Sequence, residues 1–222
     1  MERIGDAGDF YKVGLELYTR AGPDFVRELT SAGKRVFLDL KLHDIPNTVA
    51  AAVRAAADLE VDLLTVHVAG GSSMLEAAAH AAREAAGVRP VALRLLAVTV
   101  LTSLDAADLG EVWGRSVARV PSEVVRLIRQ ADAAGVDGAV CSPGEAADVR
   151  ENVGSDFLVV TPGIRPAASE PGDQKRVATP AAAVRAGADY LVVGRAVTRA
   201  SDPAAALAAI VDEVSDAAGA TP

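Results

Sequence analysis

Seven short β-rich apolar runs punctuate this chain, and alanine-rich stretches of helical character fill the gaps between them. That alternation restricts the fold more than any other feature. The runs cover residues 11–17, 36–41, 63–68, 95–100, 138–142, 157–161 and 190–194. Most are nearly continuous in apolar residues, as expected of parallel strands buried on both faces. The helices between them carry end signals. Pro23 opens one and Gly33 follows its end, and Pro46 opens the next. Ser73 with Glu76 forms a capping-box pattern ahead of an alanine-rich run that ends near Gly87. Thr179-Pro180 and Asp202-Pro203 each join an N-cap residue to a proline at the first helical position.

Strands alternating with helices predict a parallel α/β fold with right-handed crossovers, either closed into a barrel or open and doubly wound. Two features favour the barrel. Candidate functional residues follow the C-terminal ends of many different strands, and no Gly-x-Gly-x-x-Gly follows an early strand. No linker, charge run or short-period repeat divides the chain, so residues 1–222 are expected to form one domain. Half of the residues are hydrophobic, enough for one sizeable core. A barrel of this class has eight strands, typically in about 250 residues. The opening "MERIGDAGDF" reads as the last turn of a helix running into a strand. The first strand and most of the first helix are therefore expected to be missing, leaving neighbouring strand edges open.

A net charge of −8 and a pI near 4.9 argue against a nucleic-acid-binding surface. They leave room for a small anionic ligand held by a local group of Arg and Lys. The single cysteine, Cys141, allows no intrachain disulfide and suits a reducing compartment. In "GAVCSP" it reads as a small buried strand residue. No signal-peptide pattern or bilayer-length apolar run is present, so a cytoplasmic protein without membrane contact is expected.

The chemistry concentrates in "VFLDLKLHDIPNTV", residues 36–49. Side chains alternate along a strand, so Asp39 and Lys41 should point to one side, at the C-terminal mouth of a barrel. Asp44 follows in the turn before Pro46. A lysine held between carboxylates stays protonated and acts as a proton donor rather than a nucleophile. A structural ion pair at a strand end is the plainer alternative. His43 should point away from Lys41, as a structural contact. In "YKVGLEL", Lys12 would be an ordinary snorkelling lysine unless it stands beside Asp39 and Lys41. Thr102 and Ser103 follow a strand and could meet a ligand's polar edge or simply cap a helix. "TPGIRPAASEPGDQKRVATP" is a long irregular connection carrying Arg165, Gln174, Lys175 and Arg176, the kind that is usually functional or disordered. "YLVVGRAV" ends in Gly194-Arg195. A glycine that lets the backbone approach and an arginine fork suit a phosphate site in the last strand–helix loops. His67, beside Gly70 and Gly71, could line the mouth or be structural, and His80 reads as surface. No spacing resembles a metal site or a nucleophile elbow.

Taken in order, "FYKVGLEL", "VFLDLKLHDIPNTV", "LLTVHVAGG", "LAVTVLTSL", "VTPGIRP", "GDQKRVATP" and "GADYLVVGRAVT" resemble the bacterial orotidine 5′-phosphate decarboxylases. The Asp-x-Lys-x-x-Asp core is shared with related sugar-phosphate decarboxylases, whereas "DLKLHDIPNT" with "GDQKR" and "VVGR" is far more specific. The resemblance implies a (β/α)8 TIM barrel of the ribulose-phosphate-binding type. It implies a homodimer that converts orotidine 5′-monophosphate to uridine 5′-monophosphate with no cofactor or metal. It makes Lys41 the proton donor to C6 of the pyrimidine, networked with Asp39 and Lys12, with Asp44 entering from the partner subunit. Pro46, Asn47 and Thr48 would join the substrate site, and Thr102 would meet the pyrimidine edge. Arg165, Gln174, Gly194 and Arg195 would hold the phosphate. The family's usual first strand, with an "ALD"-like turn whose aspartate binds the ribose, has no match before Tyr11. Two other readings stand beside this one. One is a metal-dependent sugar-phosphate decarboxylase on the same barrel, with Glu16 as a candidate ligand. The other is an inactive nucleotide-binding remnant.

Overall fold

A computed structural model describes residues 3–86, 92–166 and 177–219. Two compact units are distinguished: residues 8–99 with 130–139, and the residues up to Ala7 with 100–129 and those from Val140 onward.

The first unit is built from β1 (Phe10–Gly14), α1 (Leu15–Ser31), β2 (Arg35–Leu42), α2 (Pro46–Ala57), β3 (Leu63–His67), α3 (Ser72–Ala86) and β4 (Arg94–Val98). β1 pairs with β2, β2 with β3 and β3 with β4, all parallel and in chain order. Val36, Leu38, Leu63, Leu64, Leu95 and Leu96 are fully buried, which is why these strands read as unbroken apolar runs. The helices present narrower apolar stripes: Val26 and Leu29 from α1, Val49, Val53 and Ala56 from α2, and Leu75, Ala78 and Ala82 from α3. α2 and α3 pack on each other, and their alanines are small enough to let the two backbones approach.

Two sequence expectations need correction here. The first strand is shorter than 11–17: it stops at Gly14, and Leu15 to Leu17 already belong to α1. Leu15 and Leu17 stay exposed, so their apolar character carried no information about a buried strand. Pro23 does open a helical segment, but one continuous with an earlier turn across a kink at Gly22, whose φ of 69° only glycine adopts readily. Ser73 does not cap α3. A short 3-10 turn, Val68–Gly70, and Gly71 at φ 82° start the helix at Ser72, so Ser73 sits in its first turn.

The chain continues through α4 (Ala106–Trp113), α5 (Val120–Ala133) and β5 (Gly138–Val140). α6 (Ala146–Arg150), β6 (Leu158–Thr161), α7 (Pro180–Arg185), β7 (Tyr190–Leu191), α8 (Arg195–Thr198) and α9 (Pro203–Gly219) follow. In the second unit β6 and β7 are parallel partners, and α7 and α8 pack on α9. Thr179 and Asp202 cap α7 and α9 as expected, accepting from the amides of Ala182 at 3.2 Å and Ala205 at 3.0 Å. Asp105 and Asp108 form a capping box on α4. Cys141 is buried just past β5, its amide donating to the Val160 carbonyl.

One device recurs at the strand starts. Asp62, Asp137 and Asp189 each stand immediately before a strand, and each accepts a backbone N–H from the strand preceding it in sequence. Val36 donates to Asp62 at 2.9 Å, Leu95 to Asp137 at 2.7 Å and Val159 to Asp189 at 2.7 Å. A carboxylate thereby takes an amide that the ladder has not yet reached. Arg35 and Arg150 add ion pairs to Asp62 and Asp189.

Candidate active site

The C-terminal part of β2 gathers the charges. Lys41 Nζ lies 2.7 Å from Asp39 Oδ1, and Lys12 Nζ, from β1, lies 3.3 Å from Asp39 Oδ2. Gly14 leaves the room this needs, since a Cβ there would come within 3.0 Å of the Lys12 ammonium. The Asp39 side chain is only 15% exposed, against about a third for each lysine. Burial acts to raise the Asp39 carboxyl. The hydrogen bond from Lys41 and the charges of Lys12 and Lys41, helped by Thr65, outweigh burial and hold it below its usual range.

Simple strand alternation does not explain how Lys41 meets Asp39. The β2–β3 register shifts between Leu38 and Leu42, where four steps along β2 face two along β3. Lys41 itself has φ 53°, in the left-handed region. For a residue with a Cβ that conformation is uphill by roughly 1–2 kcal/mol. The Lys41 amide donates to the Thr65 hydroxyl at 2.8 Å, and that hydroxyl donates to Asp39 Oδ1 at 3.1 Å. Irregularities of this kind re-aim side chains next to functional sites.

His43 and His67 stack, with ring centroids 5.4 Å apart and planes 19° from parallel. His67 Nδ1 accepts from the Ala69 amide at 3.2 Å, so its neutral form carries the proton on Nε2. Burial, followed by the charges of His43 and Lys41, lowers its pKa. Asp44 is exposed and does not join the Asp39 cluster within its own chain; its carboxylate accepts from the Ile45 amide. Pro46, Asn47 and Thr48 form the exposed first turn of α2.

In the second unit, Thr102 lies half-buried in a turn closed by Leu104 N–H donating to Leu101 O at 2.9 Å. The ends of the long connection are tied together. Ile164 bridges Ala178, and the Arg165 amide donates to Ala178 O at 2.9 Å. The Arg165 guanidinium donates to Ile164 O at 2.8 Å. Gln174, Lys175 and Arg176 lie outside the described residues. Gly194 precedes α8 in open space and its carbonyl accepts from Val197 and Thr198, while Arg195 begins the helix. Among the described residues no group of three or more His, Cys, Asp or Glu could hold a metal ion, and no helix is long and apolar enough to cross a membrane.

The structure thus brings Lys12, Asp39 and Lys41 into one cluster. Sequence reasoning missed Gly14 and Thr65. A threonine inside the otherwise apolar, wholly buried run "LLTV" was the available signal for the second.

The orotidine 5′-phosphate decarboxylase / HUMPS family model matches residues 1–210. The chain is 58% identical over 207 residues to a protein of Halorhodospira halophila named orotidine 5′-phosphate decarboxylase, covering 93% of this chain and 85% of that one. A protein of Moorella thermoacetica with the same name is 52% identical over 215 residues, covering 96% and 85%. Among solved structures, orotidine 5′-phosphate decarboxylase from Lactobacillus acidophilus superposes with a TM-score of 0.85 at 41% identity, covering 96% of this chain and 90% of that one. Parallel strands alternating with helices, together with these neighbours, make the fold TIM-barrel-like. The chain belongs to the orotidine 5′-phosphate decarboxylase / HUMPS family.

Proposed function

We propose that this chain converts orotidine 5′-monophosphate to uridine 5′-monophosphate in pyrimidine biosynthesis, as a cytoplasmic carbon–carbon lyase that needs no cofactor. The observation that carries the reading is the Lys12–Asp39–Lys41 cluster, standing in a chain of this family. The bond from C6 of the pyrimidine to its carboxylate breaks, CO₂ departs and the electron pair stays on C6. A fixed ammonium stabilises that charge as it forms and then supplies a proton to C6. Lys41 has this role in the proposal, and solvent returns its proton. Asp39 fixes the ammonium and lies near the departing carboxylate, and Lys12 completes the network.

Thr102 is assigned to the pyrimidine edge, and Arg165, Gln174, Gly194 and Arg195 to the phosphate. The phosphate is remote from the breaking bond, yet its binding energy can be used there by ordering the site. The architecture in this reading is the (β/α)8 barrel of the ribulose-phosphate-binding type, working as a homodimer. Asp44 reaches the partner's site, and Pro46, Asn47 and Thr48 join the substrate site. The exposure of Asp44 and Ile45, and of Leu15 and Leu17 after β1, supports an interface there.

The test is the loss of orotidine 5′-monophosphate absorbance. Wild type should turn over and Lys41→Ala should not. Equal rates would sink the assignment. Mixing inactive Lys41→Ala with inactive Asp44→Ala should restore activity, because a mixed dimer has one site with both residues intact. No recovery on mixing would count against the shared site.

A further inference from the structure

The side chain of Thr65 is completely buried, and its one hydroxyl makes two bonds of opposite sense. It accepts from the Lys41 amide at 2.8 Å and donates to Asp39 Oδ1 at 3.1 Å. A hydroxyl has a single proton, so the bond to Asp39 uses its whole donor capacity. Both partners belong to the stretch where β2 leaves register with β3, and one of them has a left-handed backbone. A residue held in such a conformation persists only where its surroundings over-determine it. At Lys41 the over-determination has two ends: the backbone amide on Thr65, and the side-chain ammonium on Asp39, which Thr65 also holds.

We propose that Thr65 is a positioning residue for the decarboxylation, fixing through one hydroxyl both the backbone of Lys41 and the carboxylate that aims its ammonium. It touches no reacting atom. Its effect is to keep the proton donor within the narrow range of positions from which C6 can be reached, where a misplacement of an ångström is enough to slow the chemistry. The inference rests on the decarboxylase reading.

The experiment compares wild type with Thr65→Val, which keeps the branched shape and removes the hydroxyl, and with Thr65→Ser, which keeps the hydroxyl. For each, kcat and KM are measured on orotidine 5′-monophosphate, with binding of uridine 5′-monophosphate as a separate readout. Thr65→Val is expected to lower kcat by roughly tenfold or more. KM and product binding should stay near wild type, and Thr65→Ser should recover most of the rate. Thr65→Ala, which leaves space for a water to meet the freed amide, gives the same comparison if the valine chain does not fold.

A wild-type kcat in Thr65→Val or Thr65→Ala overturns the proposal. So does a parallel loss of kcat, product binding and thermal stability that serine does not rescue, which would assign Thr65 to stability alone. Failure of the wild type to turn over the substrate would instead remove the decarboxylase reading, so the two failures are separable.

Discussion

Asp39 receives three donors on two oxygens, and its acid behaviour follows from them. Lys41 and Thr65 meet Oδ1 and Lys12 meets Oδ2. Because its folded pKa lies below the ordinary aspartate value of 3.8, the group contributes stability above that value. The contribution disappears as the pH falls from there through the folded value. Asp39→Asn should therefore be less stable than wild type at neutral pH, by on the order of 1 kcal/mol, because two lysines lose their carboxylate. The gap should close as the pH is lowered past 3.8. Urea melts across the acid range would check this, and a gap that stayed constant with pH would refute it. At this scale the sequence was partly legible. The pairing of Asp39 with Lys41 was anticipated, but from an alternation that the register shift and the left-handed Lys41 replace, and Lys12 was singled out on condition of its neighbours. The left-handed lysine was not legible, because nothing local marks it: left-handed positions are signalled by Gly or Asn, and here a tertiary hydrogen bond to Thr65 overrides the preference.

Among the elements, the prolines and caps at Pro46, Thr179 and Asp202 were readable because each acts on amides within a few residues. The aspartates before the strands were not, because their partners lie 26 to 42 residues away and become visible only once strands pair. The three are not equivalent. Asp62 is ion-paired with Arg35, whereas burial pushes Asp137 above the ordinary aspartate value against the pull of the Leu95 amide and the charges of Arg94 and Arg83. A raised carboxyl favours the fold below its unfolded pKa, and that advantage is lost as the pH rises through the folded value. Asp137→Asn keeps an acceptor for Leu95 without the charge. The Asp137 carboxyl is partly shielded from water although the residue as a whole stays exposed, so the variant should match or slightly exceed wild type at neutral pH, by about half a kcal/mol at most, and lose that gain below pH 3.8. Asp62→Ala removes the acceptor outright and should cost about 1–3 kcal/mol. Thermal melts at neutral and acid pH would decide, and a neutral-pH loss in Asp137→Asn would contradict the argument.

Over the whole molecule, alternation of strand and helix was the most legible property, and strand length the least. The apolar runs 95–100 and 138–142 outlast their strands by two residues, since burial continues after ladder pairing ends, whereas 190–194 outlasts β7 by three residues that are only part-buried or exposed. The acidic balance of −8 coexists with a positively weighted cluster of two lysines around one aspartate, so the local field rather than the net charge suits an anionic substrate. The bond between Asp137 and Leu95 also bears on how the chain ages. Asp137 precedes Gly138, the only Asp-Gly pair in the sequence. In a loose peptide the unshielded glycine nitrogen attacks the preceding side-chain carboxyl and expels water to form a cyclic imide, which water reopens to an isoaspartyl linkage. Here that nitrogen is part of β5 and the carboxyl is fastened to a neighbouring strand. Folded protein stored warm at neutral pH should stay free of isoaspartate at this position by peptide mass spectrometry, while denatured chain accumulates it. Equal accumulation in both would show that the hydrogen bond gives the covalent backbone no protection.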